Sequence, residues 1–351
     1  MKLFIYADPH WSSYSSIVRS RGEKYSKRLE NLINTVQWIE AEAKVQKCDA
    51  IVCLGDFFDK SELNSEEITA LQEIGWANLK HYMLVGNHEM GRGNLEHSSS
   101  HLFALMPNVE VIDFPYVYNI EDNTSLVFMP YILENNRRPL KEYTETMQLC
   151  DNVIMLSHND IAGIQMGKFM STSGFSIEEI EENCNLFING HLHNESEIGN
   201  KIINIGNITG QNFSEDAFNY GHNAIILDTT EHTLVRVDNP FAMNFYKVDF
   251  TNMQPIIDDK KIQNTLIQLK FPAVATIKVN NEVEFLVKDL LTTCDNIIEC
   301  RLIRDGINSV EMLDIYDTES SLDHIKKFQQ YIYDTFGTSE LVLNELERVS
   351  K

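Results

Sequence analysis

The chain has 351 residues, of which 43% are hydrophobic, and this suffices for one sizeable domain and one or two small appended units. Its net charge of −23 disfavours a nucleic-acid partner on bulk composition, although net charge does not describe local fields. No apolar run approaches the roughly 18 residues of a membrane span, and the N-terminal run is too short for a signal peptide. The six cysteines form no CxxC pair, so we expect reduced thiols in a cytoplasmic protein with no membrane partner.

Apolar strands alternate with amphipathic helices over the first 240 residues. Residues 2–7 predict a strand, and the helical spacing of Leu29, Leu32 and Val36 predicts a helix over 24–46. Ser65 opens a second predicted helix. Further strands are predicted at 49–56, 81–89, 125–131, 152–158, 185–191, 201–206 and 223–228. Buried strands with intervening helices predict a layered α/β fold, in which ligands collect beyond the carboxyl ends of the strands.

The composition changes near residues 239–240. Strand-like runs at 245–250, 275–281 and 299–303, with helices near 256–270 and 282–293, predict a small α+β unit. An apolar stripe predicts that residues 318–349 are mostly helical, and such a stripe is more typical of internal packing than of a docking surface. We therefore predict a main domain over 1–240, an α+β domain over 241–310 and a helical tail over 311–351.

Five basic residues lie within ten positions of the chain, just after the first predicted strand, and only Glu23 opposes them. They are Arg19, Arg21, Lys24, Lys27 and Arg28. One interpretation is the solvated start of a helix. The other is a patch that guides a polyanion towards the carboxyl end of the strand, where it would contact backbone phosphates.

Short motifs rich in ionisable side chains follow five of the apolar runs: D-x-H at 8–10, G-D-x-x-D at 55–59, G-N-H-E at 86–89, S-H at 157–158 and G-H-x-H at 190–193. Their candidate metal ligands are two carboxylates, one amide and four imidazoles: Asp8, His10, Asp56, Asn87, His158, His191 and His193. Such oxygen and nitrogen donors suit Mn²⁺, Fe²⁺, Zn²⁺ or Co²⁺. Two ions about 4 Å apart can clamp a phosphoryl group and activate a water, with one carboxylate, here Asp56, bridging them.

Each motif taken alone is more often structural than functional. A G-D-x-x-D turn or a single strand-end histidine occurs in many folds, and Asp8 alone could cap a turn. The five motifs together, in one order and each at the end of an apolar run, favour a two-metal centre.

The ordered motifs resemble those of the calcineurin-like metallophosphoesterase superfamily. The resemblance implies a layered β-sandwich flanked by helices. It also implies two ligand sets that share Asp56: Asp8, His10, Asp56 and His193 for one ion, and Asp56, Asn87, His158 and His191 for the other. His88 would not be a ligand but a catalytic residue that faces the phosphate and protonates the leaving oxygen.

Within the superfamily, Gly55-Asp56-Phe57-Phe58-Asp59, the basic segment and Met129-Pro130-Tyr131 resemble SbcD/Mre11-like DNA repair nuclease subunits, most of all those of bacteriophage recombination endonucleases. The resemblance implies exonuclease activity on duplex DNA and endonuclease activity on single strands, with two Mn²⁺ ions. It implies a capping domain over 241–310 that touches DNA, and a tail over 311–351 that binds an SbcC/Rad50-like ATPase. It also implies a homodimer through helices near 62–79 or 93–106.

Two other classes of function compete with the nuclease. A phosphodiesterase for small molecules or nucleotides, or a protein phosphatase, would use the same centre but would not need the last 110 or so residues. A non-catalytic scaffold would keep the fold alone, and the intact ligand set argues against it.

Overall fold

The computed structural model describes residues 1–166, 169–305 and 310–313. The chain divides into two compact units, one formed by residues 1–248 and 268–276, the other by 249–267 and the described residues from 277 onwards. No helix in the described part of the chain combines the length and the apolarity needed to cross a membrane.

The secondary structure alternates strands with short helices. The strands are β1 (Lys2–Tyr6), β2 (Ala50–Cys53), β3 (Lys80–Leu84), β4 (Met90–Gly91), β5 (Asn94–Ser98), β6 (Val109–Ile112), β7 (Tyr116–Ile120), β8 (Thr124–Met129), β9 (Asn152–Ser157), β10 (Ile161–Ala162), β11 (Gln165–Met166), β12 (Phe169–Met170), β13 (Phe175–Ser176), β14 (Leu186–Asn189), β15 (Ser196–Ile198), β16 (Ile202–Asn204), β17 (Asn223–Asp228), β18 (Thr233–Asp238), β19 (Asn244–Phe250), β20 (Ala273–Val279), β21 (Ile297–Arg304) and β22 (Val310–Leu313). The helices are α1 (Lys27–Val45), α2 (Ser65–Gln72), α3 (Leu140–Thr144), α4 (Ile177–Asn183), α5 (Asp259–Ile267) and α6 (Glu284–Leu291), with 3₁₀ helices at Ser99–Leu105 and Glu134–Asn136.

Two six-stranded sheets form the first unit. One has the strand order β18-β17-β1-β2-β3-β6 and is parallel from β1 to β6. The other has the order β15-β16-β14-β9-β8-β7 and is parallel from β16 to β8. In the second sheet Ser157, the last residue of β9, pairs with the last residues of both neighbours, Met129 and Asn189. The loops that follow these strands therefore start at one edge of the sheet.

The two sheets pack face to face over a common core. Leu3, Ile5 and Val52 from the first sheet share one buried cluster with Phe128 and Leu156 from the second. Alternate residues of β1 point the other way, as the two-residue period of a strand requires, and pack with the apolar face of α1. A third cluster joins the outer face of the second sheet to α4. The layered α/β fold predicted from the sequence is confirmed.

Capping groups set the starts of the first two helices. The helix predicted over 24–46 begins at Lys27, since the Ser26 hydroxyl accepts a hydrogen bond from the Leu29 amide at 3.2 Å. The second helix begins at Ser65, as predicted, and Asn64 and Glu67 form its capping box. The helix implied near 93–106 is wrong: this segment is strand β5 followed by a 3₁₀ helix.

The second unit contains α5, α6 and the antiparallel pair of β21 and β22. Both helices predicted after residue 250 are present and shorter than predicted, and each buries an apolar side, Ile262 and Leu266 in α5 and Val287 and Leu291 in α6. Strand β22 was not predicted, and it runs across the predicted boundary between residues 310 and 311. The helix predicted over 318–349 lies outside the described residues.

Candidate metal centre

All seven predicted ligands lie in loops at the carboxyl ends of parallel strands. Asp8 and His10 follow β1, Asp56 follows β2 and Asn87 follows β3. The other ligands belong to the second sheet: His158 follows β9, and His191 and His193 follow β14. The tertiary structure brings the two groups of loops together, since His158 Nε2 lies 3.1 Å from Asp56 Oδ2.

The backbone at this edge is held in left-handed conformations. Asp8, His10, Asp56 and His191 have φ angles of +52°, +49°, +48° and +59°. Residues with a side chain adopt this region at a cost of order 1–3 kcal/mol each, and such residues cluster at functional sites.

Two glycines leave the room that the ligands need. A Cβ on Gly55 would lie 2.5 Å from His158 Nδ1, and the φ of Gly55 is +118°. A Cβ on Gly86 would lie 2.2 Å from Asp56 Oδ1. The glycines of the G-D and G-N motifs are therefore required by the close approach of the ligands.

The spacing of the ligand atoms fits two ions that share Asp56. His10 Nε2 lies 3.2 Å from His193 Nε2 and 3.8 Å from Asp56 Oδ2. On the other side of Asp56, His158 Nε2 lies 3.1 Å from Asp56 Oδ2 and 3.2 Å from Asn87 Oδ1. Ligands of one ion with bonds of about 2.0–2.1 Å lie roughly 3 Å apart, so both sets have a suitable spacing.

Buried polar atoms without hydrogen-bond partners also point to a cation. Both carboxylate oxygens of Asp8, Nδ1 of His158 and Nδ1 of His191 are buried and have no hydrogen-bond partner. Burying a carboxylate without compensation is costly, and divalent cations supply that compensation. Atoms of Asp56, His158 and His191 lie within 4.8 Å of one another, as do atoms of His10, Asp56 and His88, although His88 belongs to neither predicted ligand set. The side chains present therefore fit two divalent ions.

Three carboxylates that were not predicted as site residues orient the ligating histidines. Asp59 Oδ1 lies 3.2 Å from His10 Nδ1, Asp160 Oδ1 lies 3.0 Å from His191 Nε2, and Glu215 Oε1 lies 2.8 Å from His193 Nδ1. A carboxylate on one ring nitrogen fixes the tautomer and leaves the other nitrogen free for a metal.

A motif with fixed spacing marks only one of the three in the sequence. Asp59 is the last residue of the G-D-x-x-D motif, whereas Asp160 and Glu215 follow no spacing rule that would mark them. Hydrogen bonding by His191 lowers the pKa of Asp160. Burial raises the pKa of Glu215, but the hydrogen bond and the charge of His193 together with the hydrogen bonds from Asn207 and Gln211 outweigh burial, and the net change is a decrease.

His88 lies at the mouth of the centre, with 43% of its side chain exposed. Its backbone amide donates to Asp56 Oδ1 at 2.9 Å, and its Nδ1 lies 3.2 Å from the Asp59 carbonyl oxygen. The side chain of Asp59 raises the pKa of His88 to about 9, against the opposing effect of burial. The contact with Asp59 thus favours the protonated ring, which suits a group that donates a proton.

The five basic residues do not form one basic helix. Only Lys27 and Arg28 belong to α1, and Arg21 and Lys24 pair with the carboxylates of Glu66 and Glu73 on or beside α2. Arg19 is exposed.

Arg28 differs from the other four because it is buried, with 4% of its surface exposed. Its guanidinium donates to the carbonyl oxygens of Gly210 at 2.8 Å and Pro9 at 3.0 Å. Its charge thus lies beneath the loops of the centre, with both terminal nitrogens already bonded. Contact of these five residues with DNA stays a prediction.

Two clefts adjoin the centre. The smaller, of about 230 Å³, is lined by His10 and Asp59 together with residues of the 12–16 and 211–212 loops. The larger, of about 870 Å³, is lined by His191 and His193 together with residues of the 194–199 loop. Each cleft is thus lined in part by ligands of the candidate centre.

The ligand loops up to His193 fall within a segment that matches a known family. The family model described as calcineurin-like phosphoesterase matches residues 1–195, whereas no curated protein matches the chain. Among solved structures, TT1561 of Thermus thermophilus is 11% identical and covers 68% of this chain and 98% of its own, with a TM-score of 0.41. A dimetal phosphatase from Danio rerio is 10% identical and covers 68% of this chain and 99% of its own, with a TM-score of 0.39. Yfce, a phosphoesterase from E. coli, is 14% identical and covers 68% of this chain and 100% of its own, with a TM-score of 0.30.

Proposed function

Because the chain belongs to the calcineurin-like phosphoesterase family, a family of dinuclear metal-dependent phosphoester hydrolases, we propose that it hydrolyses the phosphodiester bonds of DNA. In this proposal the protein is an exonuclease on duplex DNA and an endonuclease on single strands, and it uses two Mn²⁺ ions. We also propose that the protein acts in the cytoplasm. If a phage encodes the chain, this is the cytoplasm of the bacterial host.

The observation that supports the proposal is that two clefts adjoin the ligand cluster, one lined by His10 and the other by His191 and His193. A phosphomonoester has a substituent on one side of phosphorus and needs one cleft. A phosphodiester within a polymer has a substituent on both sides and needs two. The larger cleft, at about 870 Å³, has room for a nucleotide, which also favours the second candidate, a nucleotide phosphodiesterase.

The residues have distinct roles in the proposed reaction. Asp8, His10, Asp56 and His193 would hold one ion, and Asp56, Asn87, His158 and His191 the other. When bound, two divalent ions polarise the phosphate oxygens and lower the pKa of a water molecule. His88 holds a proton and, at 43% exposed, meets the substrate, so it can protonate the departing 3′ oxygen. Asp59 contacts both His88 and His10, so it positions the acid relative to the first ligand set.

The proposed partners are an SbcC/Rad50-like ATPase, which would bind the 311–351 segment, and a second copy of this chain. Exposed apolar side chains support the dimer: Leu105 is 84% exposed on the 3₁₀ helix, and Leu102 and Ile68 are also exposed. Light scattering of the purified chain tests it, and a monomer at all concentrations would rule out the homodimer.

The experiment that tests the proposed function compares substrates under one condition. The chain is loaded with Mn²⁺ and given single-stranded DNA, duplex DNA, bis(p-nitrophenyl) phosphate, p-nitrophenyl phosphate and a cyclic nucleotide, with and without the ATPase. We expect hydrolysis of DNA and of the diester, and little of the monoester. Hydrolysis of the cyclic nucleotide without any of DNA would instead establish the nucleotide phosphodiesterase.

His88→Ala is the matched variant for this experiment. We expect it to lose turnover on DNA while keeping two Mn²⁺ ions per chain, because His88 is not placed among the ligands. Wild-type turnover by His88→Ala would show that another group protonates the leaving oxygen.

A further inference from the structure

We propose that the smaller cleft binds the nucleotide whose 3′ oxygen leaves, and that the ring of Tyr14 at its rim stacks on the base of that nucleotide. The inference rests on the proposed function, since it names where the DNA substrate sits. It adds a substrate-binding residue that lies outside the metal-ligand motifs.

The position of His88 assigns the leaving side to this cleft. The ring of His88 lies 4.6 Å from the ring of His10, and its Nδ1 lies 3.2 Å from the carbonyl oxygen of Asp59. His10 and Asp59 both line the smaller cleft, whereas the larger one is lined by His191 and His193. A group that protonates the leaving oxygen must lie within hydrogen-bond reach of it, so the leaving nucleotide extends into the smaller cleft.

The lining of this cleft suits a sugar and its phosphate. Hydroxyls of Ser15 and Ser16 and amides of Gln211 and Asn212 supply neutral polar groups. The buried guanidinium of Arg28, which also lines the cleft, supplies positive charge from below. Apart from the Asp59 carboxylate, which contacts His10 and His88, the lining thus offers neutral polar groups and one fixed cation. This combination is typical of contacts to a nucleic-acid backbone that do not depend on base sequence.

Tyr14 presents an aromatic face to the solvent at this cleft. The residue is 71% exposed, although it lies beside the buried His10 and Trp11. Stacking of a base on an exposed aromatic ring is a frequent means of binding single-stranded DNA, and it tolerates every base because each has a π face.

The loop that carries Tyr14 is held in place before any substrate binds. The Tyr14 amide donates to the Ser12 hydroxyl at 3.2 Å, and the Ser13 amide donates to the buried carboxylate of Glu67 at 2.8 Å. The Ser15 hydroxyl accepts from the amide of Val18 at 3.0 Å. A stacking residue on an anchored loop loses little conformational entropy on binding, which favours the bound state.

The test uses the Mn²⁺-loaded chain and a short single-stranded oligonucleotide with one phosphodiester among phosphorothioate linkages, so that the cleaved bond is known. KM and kcat are measured for the wild type, Tyr14→Ala and Tyr14→Phe, with the intact oligonucleotide and with one that lacks the base on the leaving side. Phe241→Ala, which removes an exposed aromatic ring away from both clefts, is the control.

We expect Tyr14→Ala to raise KM about 5- to 150-fold, as loss of one base–aromatic stack implies. Tyr14→Phe and Phe241→Ala should behave as the wild type. Removing the base on the leaving side should raise the KM of the wild type by a similar factor. It should not raise the KM of Tyr14→Ala any further, because both changes remove the same contact.

Two outcomes would overturn the inference, and they are distinguishable. If the wild type cleaves the oligonucleotide and Tyr14→Ala has the wild-type KM, the proposed function stands and the stacking site falls. If the wild type hydrolyses bis(p-nitrophenyl) phosphate but no DNA, the proposed function falls and the site falls with it.

Discussion

Glu215→Gln tests whether the buried carboxylates hold the metal ligands in place. Glu215 is fully buried, and its two oxygens accept from four donors. Oε1 accepts from His193 Nδ1 at 2.8 Å and Asn212 Nδ2 at 3.0 Å. Oε2 accepts from Asn207 Nδ2 at 2.8 Å and the Gln211 amide at 2.7 Å. A glutamine of the same size can accept at only one of its two ends.

Either orientation of the glutamine amide weakens the site. If its NH₂ group faces His193, the ring must take the tautomer that carries hydrogen on Nε2, the atom 3.2 Å from His10 Nε2, and that nitrogen then cannot ligate. If the NH₂ group faces the Gln211 amide, a buried donor loses its partner at a cost of about 1–3 kcal/mol. Loss of a supporting carboxylate typically weakens metal binding about 10- to 100-fold, or about 1.4–2.7 kcal/mol.

Calorimetric titration with Mn²⁺ measures this change, and thermal unfolding in EDTA shows that the variant still folds. The matched control is Glu67→Gln, because the Glu67 carboxylate is equally buried and accepts several hydrogen bonds but contacts no ligating histidine. We expect Glu215→Gln to weaken one of the two binding events and Glu67→Gln to change neither. Wild-type affinity at both sites in Glu215→Gln would refute the reasoning.

Three further expectations follow from the geometry of the centre. Gly86→Ala places a Cβ 2.2 Å from Asp56 Oδ1 and should lower kcat at least about 100-fold, whereas Gly75→Ala, which meets nothing within 4 Å, should be neutral in the same assay. Asp59→Asn removes the main cause that raises the pKa of His88 to about 9. The alkaline limb of the pH–rate profile, where an acid loses its proton, should therefore move to lower pH when measured at saturating Mn²⁺. EDTA should lower Tm by about 5–10 °C relative to Mn²⁺ at 100 times its Kd, since bound ions stabilise the folded state.

Each of these expectations has an outcome that contradicts it. Equal kcat for the Gly86 and Gly75 variants would mean that Asp56 tolerates displacement. An unmoved alkaline limb in Asp59→Asn would assign that limb to a group other than His88. A Tm that is the same in EDTA and in Mn²⁺ would mean that the ligand cluster does not bind this ion.

The metal centre could be predicted from the sequence because its parts are local. Each ligand follows directly after an apolar run, and parallel strands of one sheet end at one edge. Asp56 and Asn87 could thus be placed near each other from their positions in the chain. Helix α1 was predicted for the same reason, since the period of its apolar residues is a property of one short segment.

Contacts between distant segments could not be predicted, because no local pattern records them. Arg28 was expected on the surface, yet its guanidinium bonds a carbonyl 182 positions away and is buried. Glu215 contacts His193 from 22 positions further along the chain. Tyr14 lines a cleft only because residues 211–212, distant in the chain, line the same cleft. The residue types that bind metal were thus determined by the sequence alone. Which carboxylates orient them, and which surfaces adjoin them, was decided by how the two sheets pack, since packing sets the distances between loops that the chain itself keeps far apart.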